Sequence, residues 1–113
     1  MNLLAIDFDG VIMQKGAGSS SRIDSCDRPP VDGAIEGMRA LAAEWPLVVH
    51  SCRATSDRGV MQVWQWLKRH KLGDAVQDVT ATKPIATAYI DDRAVRFTSW
   101  QAIRDTYTET PRA

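Results

Sequence analysis

Residues 3–12 read LLAIDFDGVI, an apolar run ending on two aspartates one residue apart, then a glycine and two more apolar residues. A short continuous run in Leu, Ile and Phe is the pattern of a buried strand, and it places a strand over residues 2–8. Asp7 and Asp9 project from one short segment, and like charges held close together repel. Either a cation sits between them or one carries a proton. The rest of the chain has to decide which.

At 113 residues the chain is read as one domain, 1–113, long enough to bury a core. Hydrophobic residues make up 44% and charged residues 25%, an ordinary balance for a globular protein. Fourteen basic residues offset fourteen acidic ones, so no global field points to nucleic acid or a membrane surface. A local basic groove remains open. No basic segment precedes a long apolar run at the N-terminus, and no stretch approaches the roughly 18–20 apolar residues of a membrane span. Cys26 and Cys52 form neither a metal-ligand spacing nor a disulfide framework, and a reducing cytoplasm is the expected setting.

From Gln14 to Pro30 the composition turns to Gly, Ser, Asp and Pro, marking a flexible flap at about 14–30. Its GAGSSS stretch lacks the Gly-Lys-Ser/Thr ending of a phosphate loop and opens no helix, so it reads as a connector. Asp32 is placed to cap a helix running to about Glu44, with Ile35, Met38, Leu41 and Ala42 as its apolar stripe. Pro46 introduces a second strand, PLVVHS. Thr55 or Ser56 caps a helix to about Lys71, striped by Val60, Val63, Trp64 and Leu67 and ended by Gly73. Trp66 falls off that stripe and is expected to be partly exposed, as an oligomer contact. A weak strand follows near 75–79 and a stronger one, ATAYI, at 86–90. A last amphipathic helix covers about 99–107, and residues 108–113 read as a frayed tail. Strands alternating with helices of this length imply an α/β fold, a mainly parallel sheet with helices on both faces.

In such sheets ligands bind beyond the carboxyl ends of the strands. Asp7 and Asp9 end the first strand, Ser51 the second, and Asp91 and Asp92 the last, while Lys83 lies in the loop before it. Four carboxylates around one point need a cation. Hard oxygen ligands select Mg²⁺, which shares its remaining positions with water and phosphate. A carboxylate beside it can attack phosphorus, and a lysine and a hydroxyl can hold the phosphoryl oxygens as charge develops.

These residues carry a resemblance. The chain resembles the haloacid dehalogenase superfamily in its phosphatase branch. Its first motif, Asp-x-Asp-x-Thr/Val after a hydrophobic strand, is matched by DFDGV, and the second, Ser or Thr closing a strand, by LVVHS. The third, a lysine, and the fourth, an acidic pair, are matched by KPIATAYIDD. The order fits neither receiver domains nor Toprim-type domains, in which the acids come differently. The resemblance spans residues 3–92 and implies a Rossmann-like three-layer α/β/α fold. It implies Asp7 as nucleophile and Mg²⁺ ligand. Asp9 would be the proton carrier and, through its backbone carbonyl, a further ligand. Ser51 and Lys83 would bind the phosphoryl group. Asp91 would ligate Mg²⁺, and Asp92 would be a ligand or sit behind one. Lys83 departs from many members, in which the lysine comes earlier.

Arg53, two residues past Ser51 and just before a helix, is a further candidate for a substrate phosphate, against a surface salt bridge; Arg93 is a weaker one. Cys52 reads as a small buried hydrophobe, His50 as a hydrogen-bonded core residue and His70 as solvated. Neither interval between the motifs has room for the cap domain that many members carry. An open site implies a bulky phosphorylated substrate, a nucleic-acid end or a protein, or a second copy of the chain acting as cap. Lys15, Arg22 and Arg28 of the flap would border it. The activity expected is Mg²⁺-dependent phosphomonoester hydrolysis through an aspartyl-phosphate. The alternatives are polynucleotide 3′-phosphatase-like end processing, for which the zero net charge gives little support, transfer to an acceptor other than water, and a catalytically inactive binding or regulatory module on the same fold.

Overall fold

The computed structural model describes residues 2–15, 26–91 and 99–101. Strands β1 (Leu4–Asp7), β2 (Leu47–His50), β3 (Asp78–Thr80) and β4 (Ala88–Ile90) form one sheet in the order β3-β2-β1-β4. All three pairings are parallel. Helices α1 (Ala34–Ala42) and α2 (Asp57–Arg69) lie in the β1–β2 and β2–β3 connections. The alternating pattern of the sequence thus gives an α/β chain with an all-parallel sheet. Among the described residues no helix is long and apolar enough to cross a membrane.

Register sorts the side chains by face. Leu4 pairs with Leu47 and Ile6 with Val49, and Val49 pairs in turn with Val79, so these residues share one side of the sheet. They cluster with Met38 of α1 and with Val63, Trp66 and Leu67 of α2, so both helices cover that side. Two right-handed crossovers stepping the same way along the sheet require this. On the other side, Ala5 and Val48 are also buried at the centre of the sheet.

The helix limits obey local chemistry that differs in places from the sequence reading. Asp32 does not cap α1; the cap is Gly33 at φ +80°, with no side-chain bond to the free amides. Ile35, Leu41 and Ala42 pack around buried Met38, as their spacing predicts, and the helix stops at Ala42 rather than Glu44. Ser56 caps α2, its Oγ accepting from Gly59 N–H at 3.0 Å. That helix ends at Arg69, and the left-handed residue after it is Lys71 at φ +63°, not Gly73.

The stripe of α2 is rotated from the one expected. Its buried positions are Gly59, Val63, Trp66 and Leu67, while Val60 and Trp64 are only half-buried. Trp66 is therefore no oligomer contact. It is fully buried, edge-on to Phe8 with centroids 5.2 Å apart, and its Nε1–H donates to the Arg28 carbonyl at 2.8 Å. His70, expected in solvent, stacks on Trp66 at 4.2 Å, and burial pushes its pKa down. Of the expected helix at 99–107 only Ser99, Trp100 and Gln101 are described. The GAGSSS stretch, Arg22, Asp92, Arg93 and residues 108–113 lie outside the described residues.

Candidate functional site

The site lies where the strands end. In the β1–β2 ladder Asp7 pairs with His50, whose ring Nε2 is 3.2 Å from the Ala81 carbonyl, the hydrogen bond expected of a half-buried strand histidine. In the β1–β4 ladder the last pair is Ile6 with Ile90. Asp7 and Asp91 are the next residues on those two strands, which run about 4.8 Å apart. Two acids on adjacent strand ends is the juxtaposition the motif order requires.

Asp9 is set by a tight turn. The Phe8 carbonyl accepts from the amides of Ile12 and Met13, each at 3.0 Å, and Gly10 N–H donates to the Met13 carbonyl at 2.7 Å. Gly10 sits at φ +83°, a conformation that a side chain would strain. Beyond the turn the two ends of the flap pair with each other. Gln14 N–H donates to Pro29 O at 2.9 Å and Val31 N–H to Ile12 O at 2.8 Å, with an antiparallel bridge between Met13 and Pro30. The two described ends of the 14–30 segment are therefore hydrogen-bonded together, beside Asp9.

The second strand delivers Ser51 and then Arg53. Ser51 is buried and extended, with its N–H on the Thr80 carbonyl at 2.9 Å and its Oγ accepting from Arg53 N–H at 3.1 Å. The hydroxyl hydrogen is left to donate elsewhere. Cys52–Thr55 form a 3-10 turn that swings the Arg53 side chain inward, where the residue is only 5% exposed. Its Nε and Nη2 both donate to Asp9: Nε to Oδ2 at 2.9 Å and Oδ1 at 3.1 Å, Nη2 to Oδ1 at 2.8 Å. The hydrogen bond to Asp9 raises the Arg53 pKa above its ordinary value, against the opposing effect of burial. The salt bridge weighed from the sequence exists, but it is buried and its partner is Asp9.

Gly59 makes that turn possible. A Cβ there would stand 1.6 Å from the Arg53 carbonyl oxygen, a collision with backbone that no rotamer relieves. Gly59→Ala should displace the 51–53 turn and cost about 2–3 kcal/mol, the usual scale of overpacking. A thermal melt checks this, and a variant as stable as the parent would refute the close approach.

Two cysteines flank the pair with opposite exposures. Cys26, at the flap base, is buried, and burial pushes its thiol pKa up while nearby Arg53 opposes this. Cys52 is exposed, not the small buried hydrophobe expected, because it occupies the outer side of the 3-10 turn that turns Arg53 inward. Lys83 is exposed, with Nζ 4.3 Å from the centroid of the Tyr89 ring, whose hydroxyl donates to the Pro84 carbonyl. Tyr89 pairs with Ala5, one side-chain step back from the strand end, so Lys83 lies along the sheet from Asp7.

The structure thus joins Asp9, Arg53 and Ser51 by direct hydrogen bonds, and Asp7 and Asp91 by register. Lys83 is held on Tyr89, and Asp92 is not described. Among the described residues no three His, Cys, Asp or Glu side chains converge as a metal-binding group. Mg²⁺ does not need three. It is commonly held by one or two carboxylates with water and substrate phosphate, and two acids on adjacent strand ends fit that demand. Both side-chain oxygens of Asp9 accept from Arg53, so its backbone carbonyl is the donor it would offer. Comparison of the chain with protein-family models, with curated proteins and with solved structures gives no match in any of the three.

Proposed function

We propose that the chain is a Mg²⁺-dependent phosphomonoester hydrolase of the haloacid dehalogenase type, minimal and capless, on a Rossmann-like three-layer fold. The observation that supports this most is the grouping of Asp7, Asp9 and Ser51 at and just past the ends of adjacent parallel strands, with Asp91 next to Asp7 by register.

Asp7 attacks the phosphorus of the ester, a new bond from its carboxylate oxygen to phosphorus forms, and the bond from phosphorus to the leaving oxygen breaks. Asp9 gives that oxygen its proton. Asp9 then takes a proton from water as the water oxygen attacks the same phosphorus, and the Asp7–phosphorus bond breaks to release inorganic phosphate. Ser51 and Lys83 hold the phosphoryl oxygens, Lys83 by leaving the Tyr89 ring, and Arg53 borders the same position. Asp7, Asp91 and the Asp9 carbonyl would hold Mg²⁺, with Asp92 proposed from the motif as a further ligand or neighbour, and the ion would supply charge neutralisation for the acids and the phosphoryl group. The intervals between the motifs are too short for a cap domain, which suits a bulky substrate or closure by a second copy.

The test is an assay of the purified protein with and without Mg²⁺. The substrates are a generic phosphomonoester, nucleotides and 3′-phosphorylated oligonucleotides. Turnover should appear with Mg²⁺ and vanish on chelation. Preference for the oligonucleotides would assign end processing. Absence of turnover on every ester would instead favour an inactive binding module on this fold.

A further inference from the structure

We infer that Arg53 is the positioning residue of Asp9, its two-pronged grip holding the carboxyl that moves the proton; the inference rests on the hydrolase reading above. Nε donates its one hydrogen mainly to Oδ2, at 2.9 Å with a longer branch to Oδ1 at 3.1 Å, and Nη2 donates to Oδ1 at 2.8 Å, so the fork gives each carboxylate oxygen one main hydrogen bond. A carboxylate oxygen has two lone-pair directions, so the grip leaves the carboxyl capacity to carry a proton while held in place. The guanidinium fork fixes the plane of the carboxylate as a single ammonium cannot.

The fork is itself anchored. Arg53 N–H is bound to Ser51 Oγ, and the Arg53 carbonyl abuts Gly59, the residue capped by Ser56. The orientation of Asp9 is thereby tied to the position of Ser51, the hydroxyl assigned to the phosphoryl group. Arg53 thus acts through Asp9, and its contribution lies in the proton step rather than in holding phosphate. In that step the O–H bond of Asp9 breaks as the proton passes to the leaving oxygen, and it re-forms when water gives up its proton.

Arg53→Lys keeps the charge and loses the fork. With Mg²⁺ and an alkyl phosphate, whose leaving oxygen needs a proton, kcat should fall about 100-fold with KM unchanged. With an aryl phosphate bearing a good leaving group the loss should be at most a few-fold. Adding Arg53→Lys to Asp9→Asn should cost nothing further on the alkyl ester. Equal losses on both esters, or a raised KM with kcat retained, would overturn the inference and make Arg53 a phosphate ligand. No turnover by the parent protein on either ester removes the hydrolase reading and this inference with it. Should Arg53→Lys fail to fold, the Arg53 Nε–H resonance decides. It should be resolved and slow to exchange in the parent protein and shift in Asp9→Asn; a resonance indifferent to Asp9→Asn contradicts the grip.

Discussion

Asp7→Asn is expected to abolish Mg²⁺-dependent phosphoester hydrolysis, with kcat falling on the order of 10⁴-fold or more while the fold persists. The substitution is nearly isosteric, so packing at the end of β1 changes little. What changes is chemical. An amide is a poor nucleophile toward phosphorus, and it removes one of the two charges that would hold Mg²⁺. Asp7 is half-buried and pairs in register with His50. Its neighbour on the other side is the chain of β4 just past Ile90, which brings Asp91 alongside. An assay beside a thermal melt separates loss of chemistry from loss of structure. Undiminished turnover by a folded Asp7→Asn protein would remove Asp7 from the reaction.

The largest effect on stability should come from Trp66→Ala. Trp66 is fully buried, meets Phe8 edge-on at 5.2 Å, stacks on His70 at 4.2 Å and donates to the Arg28 carbonyl. Truncating such a ring leaves a cavity and typically costs about 3–5 kcal/mol, a large share of the roughly 5–15 kcal/mol that stabilises a domain. The melting temperature should drop by roughly 15–25 °C. The Gln14–Pro29 bond should weaken too, because Arg28 lies next to Pro29. Trp66→Phe keeps most of the ring packing and loses the indole N–H, so it should fall between the two. A Trp66→Ala protein melting with the parent would mean that α2 presents another side to the sheet.

Trp66 also marks where the sequence misleads. The first two strands were legible because LLAI and LVV are continuous apolar runs, and the candidate residues Asp7 and Ser51 stand at or just past their ends. The α/β class and the placement of Asp7, Asp9 and Ser51 follow from those runs. The face of α2 did not follow. A stripe through Val60 and Trp64 and one through Gly59 and Trp66 differ by a small rotation, and apolar spacing counts glycine as no signal. The observed rotation seats Gly59 against the Arg53 carbonyl, a contact between residues with no hydrophobic signature.

The Asp9–Arg53 pair was hidden for a related reason. The two lie 44 residues apart, and a periodic pattern cannot show that a turn aims one at the other. The register of β1 with β2 supplies that information, because it carries the residues just beyond both strand ends into one place. Lys83 shows the converse: its place in the loop before β4 was legible, while the Tyr89 ring beneath it was not. Asp32 as a helix cap failed on local grounds, since Gly33 at φ +80° takes the cap position and carries no side chain to bond the first amides.

The most direct test of the central assignment is to catch the phosphoryl group on the enzyme. The protein is mixed with Mg²⁺ and an aryl phosphate, quenched in acid during turnover, digested and examined by mass spectrometry. The peptide containing LLAIDFDGVI should carry one phosphoryl group, localised to Asp7 and absent from Asp7→Asn. Turnover in which no peptide of the quenched enzyme carries phosphoryl, or in which the group sits on another residue, would contradict the account.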